Sequence, residues 1–83
     1  MKLPRDVSGE DLASRLRRLG YEVSRRTGSH MRLVRIDKTE HRVTIPSHDA
    51  LKVGTLNGIL KDIAVHLGIS RDELVRLLWR TGE

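Results

Sequence analysis

Of the four histidines, at positions 30, 41, 48 and 66, His30 has the most suggestive neighbours. It follows Thr27-Gly28-Ser29 and stands within a few residues of Arg25, Arg26 and Arg32. An imidazole among guanidinium groups fits proton transfer at a phosphate. RNA carries its own nucleophile, the 2′-hydroxyl. Breaking its backbone takes a base for that proton, an acid for the leaving oxygen, and cations to hold the phosphate. His30 suits either proton role, and Arg26, Arg32 or Arg42 can supply the cations. Gly28 lets a substrate approach the backbone with no side chain in the way. The plain alternative is that His30 is only a half-exposed polar residue of a strand.

His48, two residues past Pro46 in an irregular stretch, is the second candidate, as an assisting acid or base. Its competing reading is a loop side chain that caps nearby backbone. His41 falls on the inward face near a strand end and His66 flanks the core stripe of a helix, so both read as structural. No two histidines have metal-ligand spacing, and the acidic residues are scattered along helix surfaces. Neither a metal nor another cofactor is expected. The chain has no cysteine, which excludes disulfides, thiolate metal sites and a cysteine nucleophile.

The elements that must position these side chains are readable from capping and periodicity. Ser8 caps a first helix, with Asp11 at its third position and a Val7–Leu12 staple. Leu12, Leu16 and Leu19 form its buried stripe, and Gly20 ends it as a left-handed cap. Three alternating runs follow, over 21–25, 29–36 and 41–45, with Thr27-Gly28 as the first turn. Tyr21, Val23, Met31, Leu33, Val43 and Ile45 face inward. Pro46 stops the third strand, because proline has no N–H for the ladder. Residues 47–53 form an irregular crossing.

Gly54-Thr55 opens a second helix with Leu56, Ile59, Leu60, Ile63 and Leu67 on its packed face, ended by Gly68. Ser70 and Glu73 then form a capping box, and Ile69 staples to Leu74. The last helix buries Leu74, Leu77 and Leu78, with Trp79 off that stripe. The expected fold class is α+β in the order α-β-β-β-α-α, a three-stranded antiparallel sheet with helices on one face. It makes one domain over residues 1–83, with a lead over 1–7, extended through Pro4, and an additional C-terminal helix over 69–83. Alternation places Ser24, Arg26, His30, Arg32, Val34, Arg42 and Thr44 on the uncovered face.

Composition agrees with this arrangement. At 83 residues the chain has room for one modest core. It has no Phe, one Tyr and one Trp, so that core must be Leu, Ile and Val. Basic residues outnumber acidic ones 16 to 11, for a net charge of +5, and twelve of them are arginine. Arginine suits bidentate phosphate contacts, so a polyanion partner competes with an ordinary basic surface. No apolar run approaches the roughly 20 residues of a membrane span, and no signal-peptide core follows the start. A cytoplasmic location and no membrane partner are expected.

A rival reading lies in residues 63–78. Two helices joined at Gly68, with Ala64 before it and Leu74 after, have helix-turn-helix spacing. Against it, Asp72 and Glu73 sit where bases would be read, and Arg71, Arg76 and Arg80 are the main cations. Such corners also recur as plain packing. A non-catalytic binder of DNA through this pair, or of double-stranded RNA through the fold, is the alternative function.

The run Gly28-Ser29-His30, then Thr44-Ile45-Pro46-Ser47-His48, then Leu51-Lys52-Val53-Gly54-Thr55-Leu56 with Ile59-Leu60-Lys61, resembles the HicA toxin family. These are small bacterial and archaeal mRNA-cleaving toxins of type II toxin–antitoxin systems. The resemblance runs from the first helix to the second and rests on three motifs in order. It implies a fold similar to double-stranded-RNA-binding domains and a ribosome-independent endoribonuclease; the lack of metal-ligand spacing makes a metal-independent one the expectation. It assigns the catalytic role to His30; the reading of the residues themselves adds Gly28, Ser29, Arg26, Arg32, Arg42 and Lys52 as substrate-binding. It also implies a HicB-type antitoxin that masks this surface. The acid partner stays open, with His48 a candidate. The longer second helix and the third helix would serve partner binding or a homodimer, with Trp79 as a contact. A toxin that has lost activity and persists as a protein-binding module is the remaining option.

Overall fold

The computed structural model describes residues 3–79, so Met1, Lys2, Arg80 and the end of the expected terminal helix lie outside the described residues. The order is α1 (Gly9–Leu16), a 3-10 turn (Arg17–Leu19), β1 (Glu22–Arg26), β2 (His30–Ile36), β3 (Glu40–Pro46), α2 (Val53–Leu67) and α3 (Arg71–Leu78). The strands form one antiparallel sheet in the order β1-β2-β3. The α+β arrangement read from the sequence holds.

The Ser8 hydroxyl accepts from the Asp11 N–H at 2.9 Å, and Glu10 and Asp11 place negative charge on the helix N-terminus. Gly20 closes the segment with φ of 95°. The α-helix itself ends at Leu16, where the chain tightens into the 3-10 turn. That tightening rotates Leu19 away from the stripe: Leu12 and Leu16 are fully buried, while Leu19 is only half-buried against them. The lead before α1 bends at Arg5–Asp6 instead of running extended, with Asp6 at φ 56°.

Tyr21, Met31, Leu33, Val43 and Ile45 form the inward face of the sheet, under α1 and α2. In α2, Leu56, Leu60, Ile63 and Ala64 are buried, whereas Ile59 and Leu67 sit half-buried at the edges of the expected stripe. In α3 the buried set is Leu74, Val75 and Leu78, and Leu77 is 41% exposed. The short helix presents an i, i+1, i+4 edge to its neighbours, so Val75 takes the place expected for Leu77. Ser70 caps α3 by accepting from the Glu73 N–H at 3.1 Å; among the described residues no bond runs back from the Glu73 carboxylate. Arg15 of α1 ties α3 down, donating to the Leu78 carbonyl at 2.8 Å with its guanidinium 5.4 Å from the Trp79 ring centroid. Trp79 is therefore half-buried under Arg15.

The crossing segment between β3 and α2 is fastened at three points. Ser47 N–H donates to the Ser29 carbonyl at 2.8 Å, Gly9 N–H to the His48 carbonyl at 2.9 Å, and Leu51 N–H to the Val7 carbonyl at 2.7 Å. Gly9 is there for a steric reason, since a Cβ would stand 2.0 Å from the Pro46 carbonyl oxygen. The first turn of α1 and the end of β3 thus lock the frame beside His30.

Candidate functional site

His30 opens β2, exposed, with Pro46 as its cross-strand partner. The turn before it is built around Thr27. Thr27 N–H donates to the His30 carbonyl at 2.9 Å, and the Thr27 hydroxyl accepts from the His30 N–H at 3.0 Å. The backbone of His30 is thereby fixed from both sides. Its ring is fixed by Ser29, whose Oγ lies 2.9 Å from Nδ1. One ring nitrogen is thus engaged, and Nε2 is the atom left for a ligand. His30 sits in a shallow depression lined with Arg25, Thr27, Arg32 and Thr44.

The arginine set differs from the expectation at one position. The register between β1 and β2 shifts between Val23 and Arg25, so that Val23 faces Leu33, Arg25 faces Arg32 and Arg26 faces Met31. A bulge inserts one residue and reverses every facing beyond it. Arg26 therefore leaves the open face: it sits opposite buried Met31 and pairs with Glu10 of α1. Arg25 takes its place across from Arg32. Ser24 closes the bulge by donating from its hydroxyl to the Arg32 carbonyl at 3.2 Å.

The other expected residues are spread more widely. Arg42 is on the open face opposite Val34, with its guanidinium on Glu40. Gly28 is exposed, its φ is not positive, and a Cβ there would meet nothing within 4 Å. The fold itself does not require a glycine at that position. His48 is exposed and holds Gly9 through its carbonyl, but its side chain does not line the depression around His30. Lys52, exposed at the N-cap of α2, lines a separate broad groove with Arg5, Leu56 and Lys61. The structure joins His30, Arg32, Ser29 and Thr44 closely and leaves His48 and Lys52 along the crossing segment.

Two features do not follow from strand alternation. Arg25 is hidden by the bulge. The second is a cluster under the sheet that joins the two histidines read separately as structural. His41 and His66 stack with centroids 4.2 Å apart and 8° between planes. The Tyr21 hydroxyl lies 2.6 Å from His41 Nδ1, and His41 Nε2 lies 3.4 Å from an Asp62 oxygen. Burial pushes the Tyr21 hydroxyl up to about 12; Asp62 adds to the rise and Arg35 opposes it. Among the described residues no set of three or more His, Asp or Glu side chains has metal-binding geometry.

The helix-turn-helix reading finds little support in this geometry. Helix α3 docks its apolar edge on the core, and Arg71 donates to Asp72 at 3.1 Å. Its exposed residues are Glu73, Arg76 and Leu77, a single cation among the described residues of that face. Nor is any helix among the described residues long and apolar enough to cross a membrane.

Comparison with known proteins places the chain. A family model described as the HicA toxin of bacterial toxin–antitoxin systems matches residues 9–65. That span runs from the start of α1 through most of α2 and includes the whole sheet, leaving the lead and α3 outside. No curated protein and no solved structure matches the chain. With its fold and more than half its length accounted for, the chain belongs to the HicA toxin family, the RNase-type toxins of toxin–antitoxin systems.

Proposed function

We propose that this toxin is a ribosome-independent endoribonuclease that cleaves mRNA, with His30 as the proton-transferring residue. The observation that carries this reading is the Ser29–His30 pair. One ring nitrogen is held at 2.9 Å by a hydroxyl, and the exposed His30 shares a depression with Arg32. In the reaction His30 Nε2 takes the proton of a 2′-hydroxyl, and the freed 2′-oxygen attacks the adjacent phosphorus. The bond to the 5′-oxygen breaks, and that oxygen takes a proton from a second group or from water. A 2′,3′-cyclic phosphate and a 5′-hydroxyl result, so atoms and protons balance. His48 is the candidate for the second proton.

Arg32 and Arg42 hold phosphate on this face, Gly28 leaves room beside the imidazole, and Lys52 extends the cationic track along the crossing segment. Arg26 does not share that role: it lies off the open face, opposite Met31, and Glu10 already neutralises it. A HicB-type antitoxin would silence the toxin by covering the same face. Helix α3, outside the family match, would serve a homodimer or a partner contact.

Purified protein incubated with mRNA in EDTA tests the reading. Cleavage that disappears in a folded His30→Ala variant supports it. RNA binding without cleavage by the wild type would favour the non-catalytic binder instead.

A further inference from the structure

The bulge in β1 creates a like-charge pair that folding alone does not justify. Arg25 and Arg32 are cross-strand partners, both exposed. Like charges directly opposite one another on antiparallel strands are destabilising. Three of the five strand arginines avoid this cost through carboxylates: Arg26 on Glu10, Arg35 on Asp37 and Arg42 on Glu40. Arg25 and Arg32 make no ion pair with any described carboxylate. They are also the two residues shared by both depressions of the open face. One holds Thr27, His30 and Thr44, and the other holds Ser24, Val34, Ile36, Glu40 and Arg42.

We propose that Arg25 and Arg32 form a two-guanidinium seat for one backbone phosphate of an RNA strand, placed beside His30. The proposal rests on the ribonuclease reading for its choice of ligand. A phosphodiester between the two guanidinium groups converts their repulsion into two charge-assisted contacts. Its neighbouring ribose then lies toward the imidazole. Because the same pair walls the second depression, the strand continues from His30 toward Arg42, past the exposed Ile36. The Glu40 carboxylate sits at that far end, which makes the Arg25–Arg32 end the stronger anion site.

The test uses a 2′-O-methyl RNA oligonucleotide, which has no 2′-hydroxyl to attack, and reads affinity by fluorescence anisotropy across a salt series. Arg25→Ala and Arg32→Ala should each weaken binding about tenfold and lower the salt slope by about one. Arg26→Ala should change affinity by less than about twofold. Unliganded Arg25→Ala should melt at or above the wild-type temperature, since it loses a repulsion; a residue kept for structure would melt lower. Wild-type affinity in Arg25→Ala, or equal losses in Arg25→Ala and Arg26→Ala, overturns the seat. So does displacement of the oligonucleotide by inorganic phosphate at ordinary buffer concentrations, which would mark a free-anion site. If the wild type cleaves mRNA but Arg25→Ala binds normally, only the seat fails. If the wild type never cleaves RNA yet Arg25 and Arg32 carry the affinity, the seat stands and the ribonuclease reading fails.

Discussion

Ser29 Oγ lies 2.9 Å from His30 Nδ1, between neighbours in sequence that share one turn. When the hydroxyl accepts, Nδ1 carries the proton and Nε2 is free to act as a base; when it donates, Nε2 carries the proton. Ser29 is thus a positioning residue, acting through the imidazole. Ser29→Ala should lower kcat about tenfold with KM little changed, a fraction of what acid–base catalysis contributes. Ser29→Thr, which keeps the hydroxyl, should restore most of the rate. Equal rates in all three proteins would remove Ser29 from the account.

Two glycines give opposite predictions. Gly9→Ala forces a methyl to within 2.0 Å of the Pro46 carbonyl, which is backbone and cannot swing aside. Helix propensity would favour alanine there, but the clash should dominate and cost about 1–3 kcal/mol in urea denaturation. Gly28→Ala meets nothing within 4 Å, so its stability should stay within about 0.5 kcal/mol. Its RNA cleavage should nonetheless fall, because the added methyl intrudes on the open approach to the turn that carries His30. A Gly28→Ala protein that unfolds more easily than Gly9→Ala would contradict the geometry.

The buried Tyr21 predicts a stability loss at high pH. Its hydroxyl is raised from 10.0 to about 12 in the folded state, so folding favours the protonated form. This contribution is fully present below about pH 10 and is lost as pH rises toward 12, by roughly 2–3 kcal/mol in all. Tyr21→Phe removes the titration, and with it that component of the alkaline loss. At neutral pH the same variant should cost about 1–2 kcal/mol, because His41 Nδ1 loses its partner at 2.6 Å. Stability measured by urea at pH 7 and above pH 10 separates the two effects.

Helix α3, outside the family match, should behave as part of the core. Leu78→Ala should cost about 2–4 kcal/mol, as for other buried leucines. Leu77→Ala, at a position 41% exposed, should cost less than about 1 kcal/mol. The reverse ranking would mean that Leu77 faces the core and Leu78 does not.

Capping and alternation revealed most of the fold because they are local. Ser8, Gly20 and Ser70 terminate their helices through groups within four residues, and Met31, Leu33, Val43 and Ile45 fix the register of β2 on β3. Strand β1 lacks such an anchor. After Val23 it continues Ser24-Arg25-Arg26, with no apolar side chain to say which residue faces the core. The bulge falls there, and the candidate site consequently gains Arg25 and loses Arg26 from its face. In the sequence Thr27 reads only as part of a turn, yet its hydroxyl holds the His30 backbone. The Tyr21–His41–His66–Asp62 cluster needs the residue before β1, the start of β3 and α2 brought together, which no local pattern encodes.

The most direct measurement is mRNA cleavage in EDTA by wild-type and His30→Ala proteins shown to melt at the same temperature. The account predicts cleavage by the wild type and a loss of at least about 100-fold in the variant, the scale of a lost acid–base group. A folded His30→Ala protein that cleaves at the wild-type rate would contradict it.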